Sequence, residues 1–299
     1  MLKRSLRLTM DLTLWRVPTT SVNTMRFLPV ISSHHNEWFK SIQRLHQSTE
    51  RRDRNRFLIE GTHLVEEAIA TNWPLESICF EEGWAKQNQP LLDRIAADPN
   101  RSNVLLQPAT TDILRRLSTT SSRCSVVGVA VDQDAAKSDI DPISLALAVE
   151  SLQDPGNLGS MIRIAAAAGV NHVFLSDDCV SPTNPKVLRS SAGQWFRSPP
   201  LVIALPAFLK RQADSSVQIL AAGVNGKSFW ETELTGPTLF LLGNEGNGLS
   251  SEIRSLATGE ISVPMSLGVE SLNVSITAAL LIYEAQRQRR CKDGFRAHV

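Results

Sequence analysis

Residues suited to chemistry occur in three segments of the second half of the chain. The first, residues 157–169 (NLGSMIRIAAAAG), places Asn157 and Arg163 on one predicted helix, with Asn157 as its N-cap and Gly169 as its C-terminal stop. Gly159 stands four residues before Arg163, so we expect it to leave room on the face from which the arginine projects. An arginine among small and apolar residues is costly to bury without an anionic partner. Taken alone, the segment favours a surface arginine on an amphipathic helix, and an arginine that binds an anionic partner is the alternative.

The second segment is a glycine-rich loop, residues 242–248 (LGNEGNG), which ends an apolar run and precedes a predicted helix. Backbone N–H groups at such a position are free to hold a ligand. The glycines follow the order G-x-x-G-x-G, the reverse of the dinucleotide fingerprint, and no P-loop lysine follows them. Glu245 would repel a phosphate because the two groups carry like charge. The loop therefore favours a neutral or cationic ligand and argues against a nicotinamide enzyme.

The third segment combines residues 263–265 (VPM) with residues 271–275 (SLNVS), at the mouth of a long apolar helix. Ser271 or Asn273 is expected to cap this helix, and its apolar face to pack in the core or against a partner. Capping accounts for one polar residue and not for three. Together with the glycine loop, this segment predicts a pocket.

Both halves of the chain alternate helical and strand patterns, and the spacing in the second half predicts a parallel sheet covered on both faces. In the first half we expect strands at 56–60, 75–81, 104–107 and 125–131, and helices at 37–47, 62–70, 86–97 and 112–117. In the second half we expect strands at 143–149, 172–175, 201–204, 217–222, 237–242 and 261–263, and helices at 158–168, 185–191, 206–213, 250–256 and from Ser271 onward. Parallel-sheet proteins bind ligands at the carboxyl ends of the strands, where both loops fall.

These patterns divide the chain into four parts. Residues 1–30 are predicted to be a basic leader, either disordered or upstream of a true start at Met25, with a mitochondrial transit peptide as the alternative. Residues 31–131 form a small α/β domain, residues 132–141 a polar linker, and residues 142–299 the parallel-sheet domain.

The composition is that of a folded globular protein, with 42% hydrophobic and 20% charged residues. No apolar run approaches the roughly 20 residues that a membrane-spanning helix needs. The four cysteines are scattered, without a CxxC pair or a metal-ligand cluster. We therefore expect reduced thiols in a cytoplasmic protein, with no membrane and no metal.

The net charge of +1 conceals a strongly basic N-terminal region. Residues 1–60 hold eleven basic and five acidic side chains, and the C-terminal tail is basic as well. Basic ends on a neutral body suggest a polyanionic partner, with solvated helix faces as the alternative. The candidates for contact with this partner are Lys40, Arg44, Arg51, Arg52, Arg54 and Arg56.

Taken in order, the three segments resemble the three motifs of the SpoU (TrmH-like) family of SPOUT methyltransferases. The resemblance covers roughly residues 143–290, and residues 189–193 (RSSAG) are similar to a further segment of that family. Residues 57–61 and 126–129 resemble, more weakly, the ribosomal-protein-like substrate-binding domain of many members. The resemblance implies an α/β fold whose C-terminal parallel-sheet domain contains a trefoil knot, one of the rare exceptions to the rule against knots.

The resemblance also implies a reaction, the transfer of a methyl group from S-adenosyl-L-methionine to a ribose 2′-hydroxyl of structured RNA, rRNA rather than tRNA. It implies a homodimer formed through the C-terminal domain. The catalytic residues it implies are Arg163, Asn157, Glu245, Ser271 and Asn273. The cofactor-binding residues are Leu242, Gly243, Val263, Met265 and Leu272. The six basic residues between Lys40 and Arg56 would bind the RNA.

A guanidinium is hard to deprotonate because its pKa lies above about 12. We therefore interpret Arg163 as an organiser that binds phosphate and lowers the pKa of the hydroxyl, while the proton passes to phosphate, water or a neighbour. An RNA-binding protein that has lost turnover is the rival interpretation. A Rossmann-type oxidoreductase is disfavoured by the reversed glycine order.

Overall fold

The structure is a computed structural model, and it describes residues 26–120, 123–133, 140–212 and 215–292. Residues 1–25 of the predicted leader and residues 134–139 of the predicted linker lie outside this range. Residues 26 and 27, which we had assigned to the leader, form a short strand of the first sheet.

The first half folds around a five-stranded mixed sheet. Its strands are β1 (Arg26–Phe27), β2 (Arg56–Glu60), β3 (Leu75–Phe80), β4 (Leu105–Pro108) and β5 (Val126–Val131). The order across the sheet is β1-β4-β3-β5-β2, with β5 antiparallel to both of its neighbours. The central strands are almost fully buried because helices and the second domain cover both faces.

Among the described residues, six α-helices surround this sheet, and two of the predicted helices were wrong in extent. The helices are α1 (Glu37–Gln43), α2 (Ser48–Arg54), α3 (Thr62–Ala70), α4 (Glu82–Gln87), α5 (Gln89–Ala97) and α6 (Thr111–Leu117). The helix predicted at 86–97 is divided at Asn88, because Pro90 fits only the first turn of a helix and starts a new one. The helix predicted at 37–47 ends at Gln43, and α2 was not predicted.

The second half contains a six-stranded sheet in which all strands run parallel, as predicted. Its strands are β6 (Leu145–Val149), β7 (His172–Leu175), β8 (Leu201–Val202), β9 (Gln218–Ser228), β10 (Thr238–Leu242) and β11 (Gly259–Ser262). The order is β11-β9-β10-β6-β7-β8. The chain leaves β6 toward β7 and later returns to insert β10 beside it, so the carboxyl ends of β6 and β10 mark the switch point where α/β sheets bind ligands.

In the part of this half that the structure describes, five α-helices cover the sheet, and three predictions about them need correction. The helices are α7 (Pro155–Ala168), α8 (Pro185–Ser190), α9 (Leu205–Gln212), α10 (Ser251–Ser255) and α11 (Val274–Lys292). The N-cap of α7 is Asp154, not Asn157, because the Asp154 carboxylate accepts the N–H of Asn157 at 2.8 Å. Gly159 lies against α8 rather than making room for Arg163: a Cβ there would sit 2.4 Å from the Cβ of Ser190. Helix α11 begins at Val274, not at Ser271, since Asn273 accepts the N–H of Ser275.

The two domains are joined by an aromatic cluster and by ion pairs. The Trp195 ring packs against Phe57 and Trp73, with ring centroids 5.0 and 4.9 Å away. The guanidinium of Arg189 donates at 2.9 Å to Glu60, whose side chain is 2% exposed. Arg189 belongs to the RSSAG segment, so this segment contributes directly to the domain interface.

Candidate active site

A cavity of about 480 Å³ opens at the carboxyl ends of β10 and β11, beside the middle of β9. All five residues predicted to bind the cofactor line it: Leu242, Gly243, Val263, Met265 and Leu272. Glu245 and Ser271 line it as well. The volume is that of a small-molecule site, and the lining combines apolar side chains with the backbone of two loops.

The glycine loop has a fixed shape that explains its sequence. Asn244 and Gly248 exchange backbone hydrogen bonds at 3.0 and 2.9 Å, and the Asn244 side-chain oxygen accepts the N–H of Gly246 at 2.8 Å. A Cβ at Gly243 would lie 2.1 Å from the carbonyl carbon of Gly248, so only glycine permits this close approach. Gly243 is therefore required by a tight loop that closes on itself.

The loop is anchored to the neighbouring strand end by a polar network that the sequence analysis missed. The Asn244 amide donates at 2.8 Å to the carbonyl of Ser151, which adopts a left-handed conformation with φ of 55°. The hydroxyls of Ser151 and Ser176 both donate to the Asp178 carboxylate, and these two hydrogen bonds hold the pKa of Asp178 below its usual value. This network joins the ends of β6, β7 and β10.

Three of the predicted catalytic residues, one from each motif, are hydrogen-bonded in a chain. The Asn157 amide donates to Glu245 at 3.0 Å, and the Asn273 amide donates to the side-chain oxygen of Asn157 at 2.9 Å. The Asn273 oxygen accepts the N–H and the hydroxyl of Ser275 at 2.9 and 2.7 Å. Because Asp154 caps α7, the Asn157 side chain is free to make these contacts.

Arg163 and Ser271 stand apart from this chain of hydrogen bonds. Arg163 is exposed, forms no hydrogen bond or ion pair with any described residue, and does not line the cavity. It follows Asn157 by six residues of the same helix, about 9 Å along the axis. The exposed Ser271 lines the cavity, and its side chain makes no hydrogen bond within the described ranges. Arg163 is thus a surface arginine, and its guanidinium is available to an anionic partner.

The six predicted RNA-binding residues fall into two groups. Lys40, Arg44 and Arg52 are exposed. Arg51, by contrast, is 4% exposed and donates to the carbonyls of Leu45 and His46, so its assignment to RNA contact was wrong. Arg54 and Arg56 are partly buried and bonded within the domain, Arg54 to Ser41 and Glu50 and Arg56 to Glu76.

Comparison with known proteins finds matches for both halves of the chain. The family model described as the SpoU rRNA methylase family matches residues 144–283, and the MRM3-like substrate binding domain matches residues 36–128. An uncharacterized tRNA/rRNA methyltransferase of Synechocystis sp. is 36% identical over 87% of this chain and 94% of its own length. A 23S rRNA (guanosine(2553)-2′-O)-methyltransferase of Bacillus subtilis is 30% identical over 85% of this chain and 97% of its own.

A similar solved structure is that of the SpoU methyltransferase AviRb from Streptomyces viridochromogenes in complex with the cofactor AdoMet. It has a TM-score of 0.73 and 26% sequence identity, covering 85% of this chain and 98% of that one. The fold thus belongs to the α/β methyltransferases that carry a separate substrate-binding domain. The chain belongs to the SpoU rRNA methylase family.

None of the described helices is long and apolar enough to cross a membrane. Within the same residues, no group of His, Cys, Asp and Glu could hold a metal ion.

Proposed function

We propose that this protein transfers a methyl group from S-adenosyl-L-methionine to a ribose 2′-hydroxyl of rRNA. One observation carries the proposal: Asn157, Glu245 and Asn273, one from each motif, bond to one another at the edge of a cavity lined by all five predicted cofactor residues. The relatives named as 23S rRNA 2′-O-methyltransferases support the same reaction and substrate.

The cavity fits the chemistry of this cofactor. S-adenosyl-L-methionine is a cation at sulfur and carries an ammonium group, and two carboxylates, Glu245 and Glu270, line the cavity. The only arginine among the lining residues, Arg254, is paired with Glu260 at 2.8 Å. Apolar Leu242, Val263 and Leu272 would enclose the adenine, and the loop backbone would bind its polar edges.

The cofactor supplies an electrophilic methyl group, and the protein's own residues must present the hydroxyl and manage its proton. We assign to Arg163 the binding of the phosphate beside the target ribose, where its positive charge lowers the pKa of the 2′-hydroxyl. The proton leaves to that phosphate, to water or to a neighbour. Asn157, Glu245, Ser271 and Asn273 would orient the ribose and the loop that holds the cofactor.

We extend the proposal to the knot, the dimer and the location. Helix α11 packs on α7 after the chain has passed the two cavity loops, which suits a trefoil knot. The exposed Ile276, Leu280 and Tyr283 form an apolar stripe on α11 beside Phe229, a suitable surface for a second copy of the chain. All four cysteines are free thiols, which fits a cytoplasmic enzyme.

Isothermal titration calorimetry of the full chain tests the proposal. We expect S-adenosyl-L-methionine to bind and NAD to give no heat. Absence of binding to S-adenosyl-L-methionine would refute the proposed function. Binding without any methyl transfer to rRNA would instead favour the rival, an RNA-binding protein that has lost turnover.

A further inference from the structure

A groove of about 490 Å³ runs between the two domains, separate from the cofactor cavity. One wall is the end of α2, with Arg52 and Asn55, and the other is formed by residues that follow β7 and flank β8. None of the residues predicted to be catalytic or to bind the cofactor lines it. Nothing in the methyl-transfer chemistry uses this space.

The groove contains two charged side chains that the fold leaves free. The guanidinium of Arg52 and the carboxylate of Asp177 are exposed and make no hydrogen bond or ion pair with any described residue. Asp132 brings a second carboxylate to the lining. With two carboxylates and one guanidinium, the groove is a poor site for a bare anion. It suits a ligand that offers hydrogen-bond donors to Asp177 and a phosphate to Arg52.

The remaining surface of the groove suits a planar ring. Pro182, Pro199 and Pro200 line it, and Val202 is 42% exposed although it belongs to a strand. Trp195 also lines the groove, and its indole nitrogen is buried without a hydrogen-bond acceptor among the described residues. A base combines a flat face, which packs on such side chains, with edges that exchange hydrogen bonds.

The groove lies at the same sheet edge as the proposed chemistry. Asp177 and Pro182 follow the carboxyl end of β7, and the cofactor cavity lies at the carboxyl end of β10. Only β6 separates these two strands, so their ends are about 10 Å apart at the usual strand spacing. An RNA strand that runs along this edge would fill the groove while a nearby ribose reaches the cavity.

We propose that the groove binds one unpaired guanosine of the substrate RNA, close to the methylated nucleotide. Guanine presents adjacent N1–H and amino donors, which match the two oxygens of the Asp177 carboxylate, and the phosphate of that nucleotide pairs with Arg52. The inference rests on the proposed function only in taking RNA as the substrate. It adds a base-reading site outside the residues that hold the cofactor.

The test is fluorescence anisotropy of the full chain with labelled oligouridylates that contain one central guanosine or adenosine. Wild type should bind the guanosine oligonucleotide about tenfold more tightly, the discrimination expected of a bidentate base contact. Asp177→Asn should abolish this preference, whereas Arg52→Gln should weaken both oligonucleotides equally. Asp93→Asn, an exposed carboxylate of α5 outside the groove, is the matched control and should change nothing.

Three results would overturn the inference. They are equal binding of both oligonucleotides by wild type, an unchanged preference in Asp177→Asn, and GMP competing as well as the guanosine oligonucleotide, which would indicate a site for free nucleotides. The measurement needs no cofactor, so it is independent of S-adenosyl-L-methionine calorimetry. Intact cofactor binding without guanosine preference would reject the groove and leave the proposed function standing.

Discussion

The two domains use their polar residues in opposite ways. In the parallel-sheet domain, Asn157, Glu245 and Asn273 lie far apart in the sequence and bond to one another in the structure, while Arg163 stays free. In the first domain, the basic residues are close in sequence, yet the buried Arg51 donates its hydrogen bonds to backbone carbonyls of its own domain. Spacing and order of residue types therefore predicted which side chains lie together, whereas density of charge did not predict which side chains stay exposed.

Replacing Arg163 should lower turnover without changing the affinity for the cofactor, and we expect this loss of turnover to be larger than that of any other variant. Arg163→Ala should lower kcat by about 100-fold or more, the usual cost of removing a group that stabilises developing charge. The affinity for S-adenosyl-L-methionine should stay unchanged because Arg163 does not line the cavity. Steady-state methyl transfer and calorimetry measure the two quantities. Arg94→Ala, an exposed arginine of α5, is the control, and near-normal turnover of Arg163→Ala would show that the assigned centre is wrong.

Close packing of α7, the helix that carries Asn157 and Arg163, against α8 should depend on Gly159. Gly159→Ala should lower the free energy of unfolding by about 1–3 kcal/mol, because the new Cβ collides with α8 and the helices must separate. Urea denaturation measures this change. Gly83→Ala is the matched control in α4, where a Cβ meets no atom within 4 Å. Equal stability of the two variants would mean that α7 and α8 are not packed as described.

The hydrogen-bonded residues should matter less for turnover than the free arginine. Asn273→Ala and Glu245→Ala each remove one partner of Asn157, and we expect a decrease in kcat of about tenfold, or about 1.4 kcal/mol. Glu245→Ala should also weaken cofactor binding, since Glu245 lines the cavity. Single-turnover assays at saturating cofactor separate the two effects. A larger loss than in Arg163→Ala would reverse the proposed ranking.

Two adjacent arginines test the contrast within the basic segment. Arg52→Gln should reduce the slope of log affinity for RNA against log salt by about 0.7–0.9, the contribution of one phosphate contact. Arg51→Gln should leave that slope unchanged and lower stability by about 1–3 kcal/mol, because the carbonyls of Leu45 and His46 lose their donor. Filter binding at several salt concentrations and thermal unfolding measure the two outcomes. Identical salt slopes for Arg52→Gln and wild type would remove Arg52 from the RNA site.

The stability that Asp178 contributes should depend on pH, and this is the smallest effect that we expect. The hydroxyls of Ser151 and Ser176 lower the pKa of Asp178, so its contribution to stability is fully present above the unfolded value of about 3.9. The contribution is lost as the pH falls through the lower folded value. The Tm difference between wild type and Asp178→Asn should thus be constant from about pH 5 to 8 and shrink in stronger acid. A difference that grows on acidification would contradict this network.

Features that depend on residues close together in the sequence could be predicted from the sequence alone. The three motifs, the parallel sheet, the helix over Thr62–Ala70 and the strand over His172–Leu175 follow from residue types and their periods. The glycine loop was found for the same reason, since its close approach at Gly243 tolerates no side chain.

Other features depend on tertiary contacts that periodicity does not report. Asp154 and Asn157 are both good capping residues, and only the fold decides that Asp154 caps and Asn157 turns to Glu245. The burial of Arg51 depends on which face of α2 meets the sheet. Ser151 joins the loop anchor through a left-handed backbone that a serine rarely adopts, so no sequence signal marked it.

We propose that one site, built from the three motifs, methylates a ribose. The most direct measurement is incubation of the wild-type protein with rRNA and methyl-labelled S-adenosyl-L-methionine, followed by digestion to nucleosides and chromatography. Wild type should place the label in a 2′-O-methylnucleoside, and Arg163→Ala should lose it. Label on a base, or equal labelling by both proteins, would contradict it.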